Sequence, residues 1–159
     1  MRIGIGYDVH AFAENRELVL GGVKISYHLG LAGHSDADVL LHAICDAILG
    51  ALARGDIGQH FPDSDPKYKG IMSEKLLLEV VDMMIRDGYE VSNLDSVIVA
   101  QVPKLKPFIG EMVSNVSRIL RVPADRVNIK ATTTEFLGFE GRKEGIAAYA
   151  VVLLKDNAR

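Results

Sequence analysis

The fold is decided by the stretch GIAAYAVVLL, at residues 145–154. Successive side chains of a strand point to opposite faces of a sheet, and here both faces are apolar. One face carries Ile146, Ala148, Ala150 and Val152, and the other carries Ala147, Val151 and Leu153. A strand of this kind is typical of a sheet that is covered on both sides.

The segments before this strand predict further strands and three helices. Strands are expected at residues 2–10, at 18–20 and 23–25 on either side of a Gly-Gly turn, at 94–102 and at 126–132. Helices are expected from Ser35 as the N-cap to Gly55, over residues 73–87, and from Pro107 onward. The strand-helix-strand order predicts that strands 94–102 and 126–132 run parallel.

We therefore expect an α+β fold in which residues 1–159 form a single domain. Its mixed β-sheet would be covered on one face by about three helices. No segment of the chain is left to cover the other face, so that face is expected to pack against further copies of the chain.

The composition argues against several classes of protein. The chain has 18 Lys and Arg against 21 Asp and Glu, a net charge of −3, which does not suit the broad basic face of a nucleic-acid-binding protein. Cys45 is the single cysteine, so no internal disulfide can form and a cytoplasmic location is expected. No apolar run reaches the roughly 18 residues of a membrane span, and neither a secretory signal nor a plastid transit peptide is seen.

The glycines near the start of the chain do not form a dinucleotide-binding fingerprint. Gly4 and Gly6 are followed by Val9 where that motif has its third glycine, and no Walker-type sequence occurs in the chain. If phosphates are bound, they must be held by other means.

Asp8, His10 and His42 are candidate metal ligands. Asp8 and His10 lie on the same face of the opening strand. His42 lies on the first helix with Asp38 and Asp46 four residues before and after it, where either carboxylate could orient the ring. Two histidines and a carboxylate leave one coordination position open, as in catalytic zinc sites, and also suit ferrous iron. The alternative is a surface Asp-x-His motif and an interior histidine held by hydrogen bonds.

The stretch GHSD at residues 33–36 is a candidate anion site, because free N–H groups at the start of a helix favour negative charge. Ser35 is most simply a helix cap. The stretch also comes within one residue of the nucleophile elbow Gly-x-Ser-x-Gly, with Ala37 in the last place. A serine hydrolase that uses Ser35 is therefore an alternative.

Two later stretches carry polar groups suited to a phosphorylated ligand. The loop from Asp56 to Pro66 has carboxylates that could bind ribose hydroxyls or a cation, or could simply face solvent. The run KATTTE at residues 130–135 brings three hydroxyls to Glu135, and Arg142 follows. Hydroxyls and an arginine suit phosphate oxygens, and a single glutamate suits an ion that keeps its waters, although threonine is also common in strands.

Four groups of residues together resemble one known family. They are GYDVHAF at 6–12, HSDAD at 34–38 with His42, GDIG at 55–58 with FPDSDP at 61–66, and KATTTE at 130–135 with LGF at 137–139. In this order, over the whole chain, they are similar to the 2-C-methyl-D-erythritol 2,4-cyclodiphosphate synthase family of the non-mevalonate isoprenoid pathway. Tyr7 and Ala37 depart from the family's common Phe and Gly, and neither is a proposed ligand.

The resemblance implies a lyase that cyclises 4-diphosphocytidyl-2-C-methyl-D-erythritol 2-phosphate to the 2,4-cyclodiphosphate and releases CMP. It implies Zn2+ held by Asp8, His10 and His42, and Mg2+ or Mn2+ held by Glu135 with the substrate diphosphate. It also implies a homotrimer with active sites between subunits, which would supply the missing cover of the sheet.

The resemblance assigns the remaining site residues as well. His34 and Thr133 would stabilise the charge that develops at the β-phosphorus, and Ser35 would steady the 2-phosphate. The rest of the implied substrate-binding set comprises Asp8, His10, Asp56, Ile57, Gly58, Phe61, Asp63, Ser64, Asp65, Ala100, Pro103, Lys104, Leu105, Lys106, Thr132, Thr134, Glu135, Phe139 and Arg142. A metal-dependent module that binds a cytidine nucleotide without catalysis is a second alternative.

Overall fold

The computed structural model describes residues 1–157 and contains strands, helices and three short 3-10 turns. The strands are β1 (Arg2–Ala13), β2 (Leu18–Leu20), β3 (Val23–Ile25), β4 (Gly30–Leu31), β5 (Tyr89–Val99), β6 (Val127–Thr132) and β7 (Gly145–Asp156). The helices are α1 (Val39–Ala51), α2 (Ile57–His60), α3 (Ser73–Arg86), α4 (Ile109–Leu120) and α5 (Gly138–Gly141). The 3-10 turns are Pro66–Tyr68, Lys106–Phe108 and Ala124–Arg126.

The main sheet is mixed and has the strand order β4-β1-β7-β5-β6. β7 lies in the centre and runs antiparallel to both of its neighbours, β1 and β5. β5 and β6 are parallel and are connected through α4, as the strand-helix-strand pattern predicts. β2 and β3 pair as a separate hairpin with Leu18 opposite Ile25, which confirms the predicted Gly-Gly turn.

Helices α1, α3 and α4 cover one face of this sheet, which confirms the predicted α+β class and the number of long helices. α1 lies against β1 and β7 and is buried almost all round, Cys45 included. The facing side of β7 is fully buried from Ile146 to Leu154 at every second residue. Burial raises the pKa of the Cys45 thiol, in keeping with a packed side chain.

Two glycines of β1 allow α1 to approach the sheet very closely. A Cβ atom built on Gly6 would lie 1.9 Å from the Ala43 carbonyl oxygen, and one on Gly4 would lie 1.9 Å from the Ala47 carbonyl oxygen. No side chain fits at such distances, so these positions require glycine. The Gly-x-Gly sequence therefore serves helix packing.

The opposite face of the sheet is open in the single chain, and its cover by further copies of the chain stays a prediction. Tyr149 is 42% exposed and Val151 is 39% exposed. Next to them on β1, Ile3 is 72% exposed and Ile5 is 69% exposed. The inner face is buried by the helices, and the outer face lacks a partner within the described residues.

The start of the first helix differs from the prediction. The N-cap is Asp38, with α1 beginning at Val39, and Ser35 is not the cap. The Asp38 carboxylate accepts hydrogen bonds from the N–H groups of Leu41, Gly21 and Gly22, so it joins the helix to the hairpin turn. Burial raises the pKa of Asp38 to about 6 even though these three donors favour the charged form.

Other boundaries shift by a few residues. α1 ends at Ala51 before the expected stop at Gly55, and the strand predicted at 94–102 runs from Tyr89 to Val99. The expected polar loop after α1 contains α2 and the turn Pro66–Tyr68. Within residues 1–157, no helix is both long enough and apolar enough to cross a membrane.

Candidate active site

Asp8, His10 and His42 meet between β1 and α1. Asp8 and His10 lie on the same face of β1 as Gly6, so both side chains point toward α1, which carries His42. Asp8 Oδ2 lies 2.9 Å from His10 Nε2 and 3.0 Å from His42 Nδ1, and these two nitrogens are 3.1 Å apart. Among the described residues, these three form the group of His, Cys, Asp or Glu side chains that could hold a metal ion.

The geometry of this group suits a small divalent cation. Ligand atoms at about 2.0–2.1 Å from a tetrahedral zinc ion lie roughly 3.3 Å from one another. The three separations between Asp8, His10 and His42 are close to that value. The three donors also come from one side, which leaves a fourth position free for a ligand.

The second nitrogen of each imidazole has its own partner. His10 Nδ1 donates a hydrogen bond to the Ala32 carbonyl at 2.6 Å, which leaves Nε2 free to face Asp8. Asp38 and Asp46, predicted to orient the His42 ring, do not contact it, because Asp38 caps α1 and Asp46 accepts a hydrogen bond from the Ile57 N–H. The ring is held instead by serine hydroxyls.

The charge state of the group follows from these contacts. Burial opposes ionisation of Asp8, but the contacts with the His10 and His42 rings outweigh it and lower the pKa of Asp8 to about 2. Burial likewise favours neutral His10, but the hydrogen bond to Asp8 outweighs it and raises the pKa of His10. Asp8 is therefore an anionic centre that attracts either protons or a cation to the two rings.

The loop between β4 and α1 presents His34 and Ser35 beside this group. The Arg16 guanidinium donates hydrogen bonds to the carbonyls of Gly33 and Ser35 and holds the loop in place. Ser35 Oγ accepts a hydrogen bond from the Ala37 N–H and lies 3.2 Å from His42 Nε2. His34 Nε2 is buried and has no hydrogen-bond partner among the described residues.

These groups line a cavity of about 430 Å³. Nine of the sequence-predicted site residues lie there, namely Asp8, His10, His34, Ser35, His42, Ile57, Gly58, Phe61 and Asp63. Five further residues line the cavity. Gly33 and Pro62 lie within stretches that the sequence singled out, whereas Tyr68, Ile71 and Leu76 lie outside them. Tyr68 packs edge-on against Phe61, with 5.4 Å between the ring centroids, and no sequence motif predicts this contact.

Three predicted residues of the loop after α1 do not line this cavity. Asp56 caps α2 through the Gln59 N–H, and Asp65 caps the turn Pro66–Tyr68 through the Lys67 N–H. Ser64 is exposed. Two of the carboxylates expected to bind ligand, Asp56 and Asp65, therefore serve as helix caps in this structure.

A second cavity, of about 610 Å³, lies beyond the ends of β5 and β6. It contains seven of the predicted residues, namely Ala100, Pro103, Lys104, Leu105, Lys106, Thr132 and Thr133, together with Gln101, Val102 and Ala131. It has no lining residue in common with the cavity at Asp8. The pairing register places both at the same end of the sheet, with strand β1 separated from β6 by three interstrand steps, about 14 Å.

The remaining predicted residues lie in the exposed loop after β6. Glu135 accepts a hydrogen bond from Thr133 Oγ1 at 3.2 Å, and Thr134 Oγ1 donates to the Leu137 carbonyl. Arg142 pairs with Glu144 at 2.7 Å, and Phe139 is half-buried on α5. None of these four predicted residues lines either cavity.

The fold and the site define an α+β domain in which an Asp-His-His group that could hold a metal ion lies at the wall of a cavity of about 430 Å³. Residues 1–155 match the model of the YgbB family, and the chain belongs to that family.

Named relatives and solved structures agree with this assignment. The chain is 64% identical over 155 residues to a protein of Geotalea uraniireducens named 2-C-methyl-D-erythritol 2,4-cyclodiphosphate synthase, which covers 98% of this chain and 99% of the relative. The bifunctional IspDF of Campylobacter jejuni superposes with a TM-score of 0.94 at 49% identity, over 99% of this chain and 43% of that one. IspF of Plasmodium falciparum in complex with CDP superposes with a TM-score of 0.86 at 35% identity, over 99% and 97% of the two chains.

Proposed function

We propose that the chain is a cyclodiphosphate synthase of the non-mevalonate isoprenoid pathway. It converts 4-diphosphocytidyl-2-C-methyl-D-erythritol 2-phosphate to 2-C-methyl-D-erythritol 2,4-cyclodiphosphate and releases CMP. The observation that carries the proposal is the convergence of Asp8, His10 and His42 on one point at the wall of a cavity that also holds His34 and Ser35. The names of the relatives, and the CDP bound to one of them, support it.

The chemistry needs positioning more than proton transfer. An oxygen of the substrate's 2-phosphate forms a bond to the β-phosphorus, and the bond from that phosphorus to the oxygen bridging to CMP breaks, so CMP leaves with the electron pair. The nucleophile is already anionic at neutral pH and needs no general base. The protein must hold the reacting groups together and balance a crowded set of negative charges.

The residues present suit two cations. Asp8, His10 and His42 would hold Zn2+, and Glu135 would help to hold Mg2+ or Mn2+ with the diphosphate. Bound there, such ions supply positive charge to the phosphate oxygens. Glu135 is exposed, and among the described residues its carboxylate accepts a hydrogen bond from the Thr133 hydroxyl, so it is accessible to a ligand.

The remaining groups would have the following roles. The His34 ring, whose Nε2 has no partner among the described residues, would stabilise charge at the β-phosphorus together with Thr133. Ser35 would steady the 2-phosphate. Ribose would lie near Asp56, Ile57 and Gly58, and the erythritol near the group comprising Phe61, Asp63, Ser64 and Asp65. Backbone groups of residues 100–106 would bind cytosine. Thr132 and Thr134 would bind the phosphates. Phe139 and Arg142 would close the site.

We further propose that the chain forms a homotrimer with shared active sites. The open outer face of the sheet is apolar at Ile3, Ile5, Tyr149 and Val151, and water-exposed apolar area of this extent favours association. The two cavities have no residue in common in one chain, so a neighbouring copy could bring its second cavity to the metal ligands. A cytoplasmic location stays a prediction.

Phosphorus NMR tests the reaction directly, because CMP and a cyclic diphosphate should appear when the purified protein meets the substrate with Mg2+. His42→Ala should remove most of the bound zinc, measured by elemental analysis, and abolish turnover. His60→Ala is the matched control, since His60 contacts the Arg54 carbonyl outside the metal group and its loss should leave the zinc content unchanged. Zinc retained at the wild-type level in His42→Ala would show that the ligands are assigned wrongly.

Complementation tests the shared site. His42→Ala and a Thr133→Val variant that also carries a change at Lys104 should each be inactive alone. In mixed trimers made by co-expression, some interfaces combine two intact halves, and activity should partly return. Mixed trimers without recovered activity would contradict a site shared between chains.

One observation keeps the serine hydrolase alternative open to a direct test. Ser35, His42 and Asp8 have the connectivity of a nucleophile, a base and an orienting acid, at 3.2 Å and 3.0 Å. The arrangement is weak for this purpose, because Ser73 is closer to the same ring nitrogen and His10 crowds the other. A hydrolase would lose all activity on Ser35→Ala and survive chelation, and a binding module would bind cytidine diphosphates without turning them over.

A further inference from the structure

The His42 ring has contacts on the side that faces away from Asp8 and His10. Its Nε2 lies 2.9 Å from Ser73 Oγ, a shorter distance than to Ser35 Oγ. Ser73 is the first residue of α3 and is fully buried. Solvent water therefore does not compete for this hydroxyl.

Ser73 is held in turn by the carboxylate of Asp36. Asp36 Oδ2 accepts a hydrogen bond from the Ser73 N–H at 3.1 Å, and Oδ1 accepts one from the Ser73 hydroxyl. A serine hydroxyl has one proton to donate, and Asp36 takes it. The oxygen that faces His42 can then only accept, which favours a ring proton on His42 Nε2. Ser35 Oγ also faces this nitrogen, but at the longer distance of 3.2 Å.

This proton count determines which nitrogen of His42 is available for a cation. A neutral imidazole carries one N–H, so a proton on Nε2 leaves Nδ1 bare. Nδ1 is the atom that faces Asp8 Oδ2 at 3.0 Å and His10 Nε2 at 3.1 Å. The contact with Ser73 therefore favours the tautomer that a metal ion requires, and it also fixes the plane of the ring.

We propose that Ser73 and Asp36 are positioning residues that orient His42 for metal binding, in a relay from carboxylate to hydroxyl to imidazole. Hydrogen-bond partners on the far nitrogen of a metal-binding histidine raise metal affinity. The inference rests on the metal site of the proposed function and is independent of the cyclisation chemistry. It also links the metal group to the loop that carries His34 and Ser35, because Asp36 belongs to that loop.

The test is zinc affinity, measured by competition with a chromophoric chelator, with circular dichroism of the zinc-free proteins to confirm folding. Ser73→Ala should weaken zinc binding by about 10–100-fold and Asp36→Asn by about tenfold, since the amide presents a donor where Ser73 needs an acceptor. Ser117→Ala is the matched control, because Ser117 is also buried on a long helix but its hydroxyl donates to the Ser114 carbonyl. Its zinc affinity should equal that of the wild type.

The Co2+-loaded proteins supply a second readout. The visible spectrum of bound Co2+ reports the ligand geometry, and it should change in Ser73→Ala but not in Ser117→Ala. A Ser73→Ala protein that binds zinc within about twofold of the control would overturn the relay. If Ser73→Ala does not fold, the zinc affinity of Asp36→Asn is compared with that of Ser117→Ala instead, and affinities within about twofold would again overturn the relay. A wild-type protein without zinc affinity would overturn both the relay and the metal site, whereas equal affinities overturn the relay alone.

Discussion

Gly6→Ala should separate α1 from β1 and disable the metal group. The added Cβ would lie 1.9 Å from the Ala43 carbonyl oxygen, whereas carbon and carbonyl oxygen approach to about 3.3 Å at closest. The helix and the strand must therefore move apart by roughly 1.4 Å. His42 moves with α1, so its Nδ1 would move away from Asp8 Oδ2, from 3.0 Å to as much as about 4.4 Å.

That displacement is large enough to abolish joint coordination. Two ligands at about 2.1 Å from one zinc ion cannot be more than about 4.2 Å apart. We expect loss of tight zinc binding in a chelator competition assay. Because backbone atoms cause the clash, we also expect a loss of about 3 kcal/mol in the free energy of unfolding, the upper end of the range for overpacking.

Gly50→Ala is the control on the same helix. A Cβ on Gly50 would meet the Ile5 carbonyl oxygen at 3.8 Å, an ordinary contact. Alanine is the better helix former, so this variant should gain up to about 1 kcal/mol and keep its zinc. Urea unfolding and zinc affinity should be measured for both variants and compared with the wild type. Wild-type zinc affinity in Gly6→Ala would refute the argument that close packing of α1 brings the ligands together.

Three further outcomes are expected. Burial raises the pKa of Asp38 to about 6, so between about pH 4 and pH 6 the folded chain keeps a proton that the unfolded chain loses. The free energy of unfolding should therefore fall by up to about 3 kcal/mol as the pH rises from about 4 to above 6. Urea unfolding of Asp38→Asn should lack this pH-dependent component, and an identical profile would contradict the shift. Glu135→Gln should keep its zinc but need far more Mg2+ or Mn2+ for turnover, and an unchanged Mg2+ dependence would count against the assignment. Val151→Glu places a carboxylate on the apolar outer face and should give inactive monomers in analytical ultracentrifugation, whereas active trimers would show that this face is not the interface.

The sequence predicted those parts of the fold whose causes are local. The hairpin is confirmed because Gly21 and Gly22 adopt positive φ in the turn that joins two short apolar strands. The parallel pair β5 and β6 follows from the intervening helix. The predicted N-cap of α1, Ser35, was wrong. The actual cap, Asp38, also accepts hydrogen bonds from Gly21 and Gly22, and the local sequence around the helix does not reveal this contact.

The sequence likewise predicted those parts of the candidate site that depend on local spacing and missed those that depend on distant contacts. Alternation along a strand is enough to place Asp8 and His10 together, and a helical histidine is a natural third ligand. The partner of His42 was missed because Ser73 lies 31 residues away, on another helix, and no spacing rule connects the two. Asp56 was expected to bind a ligand, but in the structure it is the N-cap of α2. An aspartate side chain suits both ligand binding and helix capping, so the sequence alone does not distinguish the two roles.

The central position of β7 affects how the chain folds during synthesis. β1 and β5 are translated well before residues 145–156, yet each forms its longest pairing with β7. Arg2 pairs with Leu154, so the ribosome must release nearly the whole described chain before that contact can form. Until then both older strands present unpaired edges, which are templates for aggregation in a nascent polypeptide. We therefore expect the domain to fold late, by nonlocal pairing, and the nascent chain to be prone to aggregation until β7 is made.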